Sequence, residues 1–278
     1  MGAGSLLVAV GAAPRFFVGV LSFLYVVLSA YVYISLIHQI RTRTSNRFEE
    51  HGTGRTFGVP EAILAAILIF FLLLNIGASI SRPVIEFSGR NLLENFLLMA
   101  FVVFFIVSFL QFRGINVGAL GGFRISFIRV LSTGAILLFF AYPLIVLCDT
   151  ITQWFFGGGS SKQNIVEFFS GSRTIQQRSL IIVFAVTVAP MVEEFLFRFF
   201  LYGVFKRYFG RFIGIMFSAL LFAAAHAHFP SFVPLFVLGS CFAIAYEWSG
   251  SILVPMTMHS LFNSLTLTVL AFPEAFSR

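Results

Sequence analysis

Long uninterrupted apolar runs are the feature that most restricts what this chain can fold into. A run of about 20 apolar residues matches the thickness of a bilayer core, and a single soluble core could not bury several such runs. Of the 278 residues, 59% are hydrophobic and only 10% are charged, whereas soluble domains carry about 25% charged residues. Because unpaired backbone groups cannot lie in lipid, the runs must form helices. The pattern predicts an all-α polytopic membrane protein.

The apolar runs suggest about eight transmembrane helices, with a polar stretch between the first four and the last four. We expect spans at roughly residues 16–37, 60–80, 92–112, 125–147, 179–202, 212–227, 232–246 and 252–271. The polar stretch is glycine-rich and contains the segment NIVEFF, whose pattern is typical of a short interfacial helix. The chain therefore divides into a four-helix region at 1–148, a linker at 149–178 and a polar-containing transmembrane core at 179–278.

Charge and cysteine usage exclude two classes of function. The net charge is +7, but the basic residues fall in short loops between apolar runs, where they set membrane topology. No phosphate-binding loop or aromatic-basic platform accompanies them, so we expect no nucleic-acid partner. Cys148 and Cys241 lie in separate apolar runs without CxxC spacing, so neither a disulfide framework nor a cysteine metal site is indicated.

Three charges interrupt the apolar run around residue 195, which reads APMVEEFLFRFF. A charge at mid-span costs roughly 2.5–3.5 kcal/mol on insertion scales. Glu194 and Arg198 are four residues apart, so they share a helix face and can pair. Glu193 points about 100° away and is left for a second task. The alternative is a helix end at the interface, with these side chains extending to water.

Two later spans carry further polar groups at helical spacing. Phe222 precedes His226 by four residues, and His259 precedes Asn263 by four. With Glu193, these patches lie on three different helices. Each group is unfavourable in lipid by itself and becomes tolerable when the groups converge, so we expect a shared hydrated pocket.

Converged Glu, His and Asn side chains suit hydrolysis of a peptide bond. Glu193 can take a proton from water, while His226, His259 and Asn263 hold the water or stabilise the oxyanion. We therefore expect a peptide or protein substrate within or near the lipid bilayer. A serine nucleophile is disfavoured, because Ser260 and the adjacent His259 do not face each other on a helix.

Zinc is the alternative to metal-free hydrolysis. Glu193, His226 and His259 form a familiar zinc ligand set, although the HExxH spacing is missing. We favour a mechanism without a cofactor, and the residues themselves leave both mechanisms open.

The motifs EExxxR at Glu193, Glu194 and Arg198, FxxxH at Phe222 and His226, and HxxxN at His259 and Asn263 resemble those of the CPBP family. This family contains CAAX proteases and bacteriocin-processing enzymes and is also called the Abi family. The resemblance covers roughly residues 140–272 and implies an eight-helix intramembrane endopeptidase. It implies that Glu193 activates water, that His226, His259 and Asn263 complete the catalytic set, and that Glu194, Arg198 and Phe222 support it. No sequence feature identifies a prenylated substrate.

Two other functions compete with the protease. Intramembrane Glu, His and Arg also serve proton-coupled transporters, although no internal repeat of the kind common in carriers is visible. A catalytically inactive scaffold or immunity protein could retain the same fold. For location, we expect a multi-pass integral protein of a prokaryotic cytoplasmic membrane.

Overall fold

A computed structural model of the protein describes residues 3–43, 56–80, 89–123, 125–156, 169, 174–272 and 274. In this part of the chain the regular elements are all helical. The α-helices are α1 (Ala3–Thr42), α2 (Val59–Ile80), α3 (Gly89–Phe112), α4 (Val117–Gly121), α5 (Phe127–Phe156), α6 (Ile175–Val183), α7 (Ala189–Glu194), α8 (Tyr202–Ala225), α9 (Phe232–Ser249) and α10 (Leu253–Ala271). A 3₁₀ turn at Phe229–Ser231 precedes α9, and π-helical segments at Phe184–Val188 and Phe195–Leu201 flank α7.

The predicted membrane spans correspond to helices. Within the described residues, six helical segments are long and apolar enough to cross a membrane: Phe16–Thr42, Val59–Ser79, Phe127–Phe155, Ile175–Phe209, Phe229–Ser249 and Leu253–Ala271. Two shorter apolar helices, Phe96–Phe112 and Arg211–Ala225, lie at the third and sixth predicted spans. The protein is therefore an all-α polytopic membrane protein, and the expected eight spans correspond to six full-length helices and two shorter ones.

The fifth predicted span is one long helix with mixed hydrogen-bond geometry. It runs from Ile175 to Phe209, and Thr174 and Gln177 form a capping box at its start. The helix breaks at Gly210, whose φ of 82° lies in the left-handed region that glycine adopts without steric cost. After this break, the second half of α8 runs back through the bundle.

Helix α9 occupies the centre of the bundle. Its span is the most buried of the six, because 56% of its most apolar 18-residue stretch is buried inside the protein. It packs most extensively against α8 and also contacts α1, α5 and α10. In helix α1, by contrast, only 17% of the corresponding apolar stretch is buried, so most of its apolar surface faces lipid. Among these six spans, α9 is therefore the one best shielded from lipid.

Arginine side chains join the helix ends on one side of the bundle. Arg43 Nη1 donates to the Trp248 carbonyl at 2.7 Å. Arg211 Nη1 donates to the carbonyls of Ile40 and Arg43, both at 2.9 Å. These bonds connect the end of α1 with α8 and with the end of α9. We call this side of the bundle the arginine side.

Both ends of the predicted linker at 149–178 are helical, since α5 continues to Phe156 and α6 begins at Ile175. Polar groups there bond within the helix, as Thr152 Oγ1 does to the Cys148 carbonyl. Residues 157–168 and 170–173, which include most of the NIVEFF segment, lie outside the described residues. Phe169 is buried in a small cluster with Ile181, Ala185 and Leu267.

Candidate active site

The two adjacent glutamates lie on α7, between the two π-helical segments. Pro190 occupies the first turn of α7, a position where its missing N–H is best tolerated. π-Helical turns are rare and concentrate at functional sites, because each inserts a residue and reorients the side chains that follow. The chain therefore departs from α-helical geometry on both sides of the carboxylates.

Glu194 and Arg198 form the ion pair that their spacing predicts. Arg198 Nη1 lies 3.0 Å from Glu194 Oε1, and both side chains are fully buried. Arg198 Nη2 donates to the Gly239 carbonyl of α9 at 3.2 Å. The guanidinium carbon lies 4.1 Å from the ring centre of Phe222 and 5.2 Å from that of Phe242. Cation–π contacts of this kind are strongest when desolvated, so the arginine is held in a closed aromatic environment.

His259 connects this ion pair to the other carboxylate, that of Glu193. Its Nδ1 lies 2.9 Å from Glu194 Oε1, and since a carboxylate accepts, the Nδ1–H of His259 must donate. The imidazole stacks on Phe242 with ring centres 5.1 Å apart and planes at 29°. Glu194 therefore fixes both the orientation and the tautomer of His259, and Nε2 is turned toward Glu193.

His226 is fixed in the same way by a different acceptor. Helix α8 ends at Ala225, and His226 is its C-cap residue. His226 Nδ1 lies 2.8 Å from the Phe222 carbonyl, which can only accept, so Nδ1 carries a hydrogen. The FxxxH spacing therefore has a geometric basis: the residue four positions earlier supplies the oxygen that orients the imidazole. The Nε2 atom again points to Glu193.

Glu193 stands between the two imidazoles. Its Oε2 lies 4.0 Å from His226 Nε2 and 4.0 Å from His259 Nε2. This oxygen is buried and makes no hydrogen bond with the described residues, although the side chain as a whole is 20% exposed. A separation of 4.0 Å is too long for a direct hydrogen bond and short enough for one bridging water, because each such bond is about 2.8 Å long.

The remaining predicted residues take different places. Phe222 is fully buried, and its ring contacts His226 and His259, with ring centres 4.7 Å and 5.7 Å away. Asn263 lies one turn after His259, but its Nδ2 donates to the Ala185 carbonyl at 2.8 Å. The structure thus brings Glu193, His226 and His259 together and joins the amide nitrogen of Asn263 to the first π-helical segment.

Gly239 and Phe242 on α9 also shape the site, and sequence reasoning missed both. A Cβ atom at Gly239 would lie 3.0 Å from Phe222 Cδ1 and 3.1 Å from Arg198 Nη2, so a larger residue would require these side chains to shift by a few tenths of an ångström. A glycine inside an apolar run was the available signal for the first residue. One phenylalanine among 39 carries no signal for the second.

The donor set was tested against a zinc ion. Both imidazoles have their Nδ1 groups anchored and their Nε2 atoms available, which is usual for zinc ligands. However, tetrahedral zinc ligands lie about 3.3 Å from one another at ordinary bond lengths, and Glu193 Oε2 is 4.0 Å from each Nε2. Within the described residues, no group of three His, Cys, Asp or Glu side chains is arranged to hold a metal ion. These separations are longer than those in a formed tetrahedral zinc site.

Comparisons with known proteins show similarity to CAAX-protease-like membrane proteins. Residues 175–265 match the family model of the type II CAAX prenyl endopeptidase Rce1-like proteins. The membrane-embedded CAAX protease MroQ of Staphylococcus aureus (strain USA300) is 31% identical over 153 residues, which cover 51% of this chain and 60% of that protein. The uncharacterized protein YpbD of Bacillus subtilis (strain 168) is 28% identical over 127 residues, which cover 44% of this chain and 61% of that protein. No solved structure matches the chain.

The chain spans about 60% of the length of these two curated relatives. The matched family segment contains Glu193, Glu194, Arg198, Phe222, His226, His259 and Asn263. In this segment and its three motifs, the chain is similar to the CPBP family of CAAX-protease-like membrane proteins.

Proposed function

We propose that this protein is an intramembrane endopeptidase in which Glu193 activates water without a metal ion. One observation carries the proposal: a buried, unpaired carboxylate oxygen of Glu193 lies 4.0 Å from two imidazole nitrogens. Both imidazoles are oriented by their opposite nitrogens. A carboxylate and two preset nitrogens around a gap of one water molecule form a site that can position water and remove its proton.

The proposed reaction proceeds in two steps. Glu193 Oε2 takes one proton of the bound water, and the water oxygen forms a bond to the peptide carbonyl carbon. His226 Nε2 accepts the other water hydrogen and holds the attacking oxygen in place. Glu193 then delivers its proton to the peptide nitrogen, the C–N bond breaks, and a carboxylic acid and an amine leave. No covalent enzyme intermediate forms.

The developing oxyanion needs donors in a poorly hydrated environment. His259 donates from Nε2 when that nitrogen carries a proton, while Glu194 accepts from its Nδ1. Asn263, one turn further along α10, supplies an amide donor once it exchanges the Ala185 carbonyl for the substrate oxygen. These roles agree with those that the family resemblance implies.

The proposed substrate is a peptide or protein in or near the bilayer. MroQ bears the name of a CAAX protease, but no group of the described site identifies a prenyl chain. We therefore propose the protease activity without the CAAX specificity. Since both relatives come from bacteria, we place the protein in a bacterial cytoplasmic membrane.

The test is cleavage of a peptide library by the purified protein, with and without a chelator. Glu193→Gln and His226→Ala should lower cleavage by roughly 100-fold or more, the usual effect of removing a general base or its partner. Melting temperatures should change little, because Glu193 Oε2 has no hydrogen bond to lose. A chelator should leave the rate unchanged if the mechanism is metal-free.

Three results would redirect the proposal. Loss of cleavage upon chelation, with recovery on adding zinc, would replace the metal-free mechanism by a zinc-dependent one. Proton-coupled flux in proteoliposomes without any cleavage would favour a transporter. The absence of both activities in a stably folded protein would favour an inactive scaffold or immunity protein.

A further inference from the structure

A second group of buried polar side chains surrounds Glu247 near the end of α9. Tyr202 donates its hydroxyl to Glu247 Oε2 at 2.7 Å, and Lys206 Nζ lies 2.8 Å from both carboxylate oxygens. Arg211 Nε lies 3.2 Å from Glu247 Oε1. We call these four residues the Glu247 cluster. None of its contacts takes part in the proposed reaction.

Burial distinguishes this cluster from ordinary interfacial charges. The Glu247 side chain is only 11% exposed and that of Lys206 9%, and Tyr202 is fully buried. A side chain that extends to water at the interface would leave its charged group exposed. The Glu247 carboxylate instead turns inward and accepts from three donors of the neighbouring helix.

The cluster is continuous with the candidate active site along one helix. Glu194, Arg198, Tyr202 and Lys206 follow one another at intervals of four residues. Their partners on α9 are Gly239 for Arg198 and Glu247 for Tyr202 and Lys206. Two sets of polar contacts thus fix α9 against the helix that carries the glutamates, one beside the site and one beyond it.

Helix α9 carries none of the three family motifs, yet it touches two residues of the site. The Gly239 carbonyl accepts from Arg198, and the Phe242 ring stacks on His259. Sliding α9 by a fraction of a turn would break both contacts. The Glu247 cluster provides the only ion pairs between α8 and α9 in the described part of the chain.

We propose that Glu247 is a positioning residue for the active site: it clamps α9 to the glutamate-bearing helix, and thereby holds Gly239 against Arg198 and Phe242 against His259. The inference deepens the proposed protease function, on which its kinetic consequence rests. Its structural consequence, the protection of His259, stands independently of any activity.

The experiment compares Glu247→Gln with Glu61→Gln as a matched control. Glu61 is a fully buried glutamate that likewise has an arginine partner, Arg113 Nε at 3.1 Å, but it lies in the first turn of α2, away from the site. The readout is modification of histidines by diethyl pyrocarbonate, followed by mass spectrometry. His226, whose side chain is 24% exposed, serves as internal reference for His259, at 4%.

In Glu247→Gln we expect His259 to react several-fold faster than in the wild type, relative to His226. In Glu61→Gln the His259 rate should remain at the wild-type value. Cleavage by Glu247→Gln should show a kcat roughly 10- to 100-fold lower, the range expected for a small misplacement of reacting groups, with KM changed by about twofold or less.

A second variant covers the case in which Glu247→Gln fails to fold. Tyr202→Phe removes a single hydrogen bond to Glu247 and should still expose His259, to a smaller extent. Unchanged protection of His259 in the folded variants would overturn the proposal, as would equal exposure in Glu61→Gln. If the wild type cleaves no peptide, the protease function fails, whereas the positioning role is still decided by the histidine rates.

Discussion

At the scale of single residues, Glu193 and Glu194 are neighbours in sequence with opposite surroundings. Glu194 Oε1 accepts from both Arg198 and His259, although Glu194 Oε2 has no partner among the described residues, whereas Glu193 Oε2 has none and its carboxylate makes no ion pair shorter than 4.0 Å. The Glu194 carboxylate therefore holds neighbouring side chains in place, and the Glu193 carboxylate has an oxygen that can bind water. The helix achieves this separation because adjacent residues point about 100° apart.

This difference predicts unequal effects of the same substitution. Glu194→Gln should destabilise the protein by about 3 kcal/mol, because it leaves the buried Arg198 charge without its counter-ion. Glu193→Gln should change stability by less than about 1 kcal/mol, because Glu193 Oε2 makes no hydrogen bond that the substitution would remove. Thermal unfolding in detergent compares the two variants. Equal melting temperatures would contradict the assignment of Glu194 to the ion pair.

Ala227 is a strained residue beside His226. Its φ of 49° makes it the only non-glycine residue with positive φ in the described part of the chain. It follows the C-cap of α8, a place where glycine is usual because this conformation brings Cβ close to the carbonyl oxygen. The strain therefore lies at the turn that sets the position of His226.

Replacing Ala227 by glycine should raise the free energy of unfolding by about 1 kcal/mol, the order of the steric cost that is removed. Ala224→Gly is the matched control, because Ala224 has helical geometry and glycine there should lower stability by about 1 kcal/mol. Thermal unfolding of both variants shows whether each substitution raises or lowers stability. A lower melting temperature for Ala227→Gly would show that the turn is not strained.

At the scale of elements, the packing of α8 against α9 determines the environment of Arg198. Gly239 lets the helices approach until its carbonyl meets Arg198. An added Cβ would come within 3.0–3.3 Å of Phe222, Arg198 and Ala219. Close helix contact at a small residue is a recurrent device in membrane proteins, and here it also shapes a polar site.

Gly239→Ala should therefore lower stability by about 1–3 kcal/mol, as overpacking of a close contact does, and should reduce cleavage. Gly19→Ala is the control, because nothing lies within 4 Å of a Cβ atom at Gly19 in α1. Alanine is the better helix former, so this variant should be at least as stable as the wild type. Similar stability losses in both variants would show that the effect does not arise from the contact with Arg198.

At the scale of the whole molecule, the features that depend on one helix were predictable from sequence. The apolar runs predicted the spans, and the spacing of four predicted the Glu194–Arg198 pair, although Arg198 lies in a π-helical segment. The convergence of Glu193, His226 and His259 involves three helices, and it was predicted from the high cost of isolated polar groups in lipid.

Contacts between helices were harder to predict from the sequence. The partner of Asn263 is a backbone carbonyl, and a carbonyl has no signature in the sequence. Phe242 is one apolar residue among many, so only the packed bundle reveals that it stacks on His259. The Glu247 cluster was missed because a glutamate near a span end is usually explained by the interface. In each case tertiary packing selects the partner, and residue type alone does not.

The Glu194–Arg198 pair also has a consequence for how the protein is made. Both partners belong to a single helix, and the ribosome completes that helix before it synthesises Gly239 and His259, which later surround them. The two opposite charges can therefore neutralise each other while the nascent segment enters the lipid, at the stage when no other helix of the site exists. The pair thus lowers the cost of inserting this segment into lipid, and the other helices of the site pack around it afterwards.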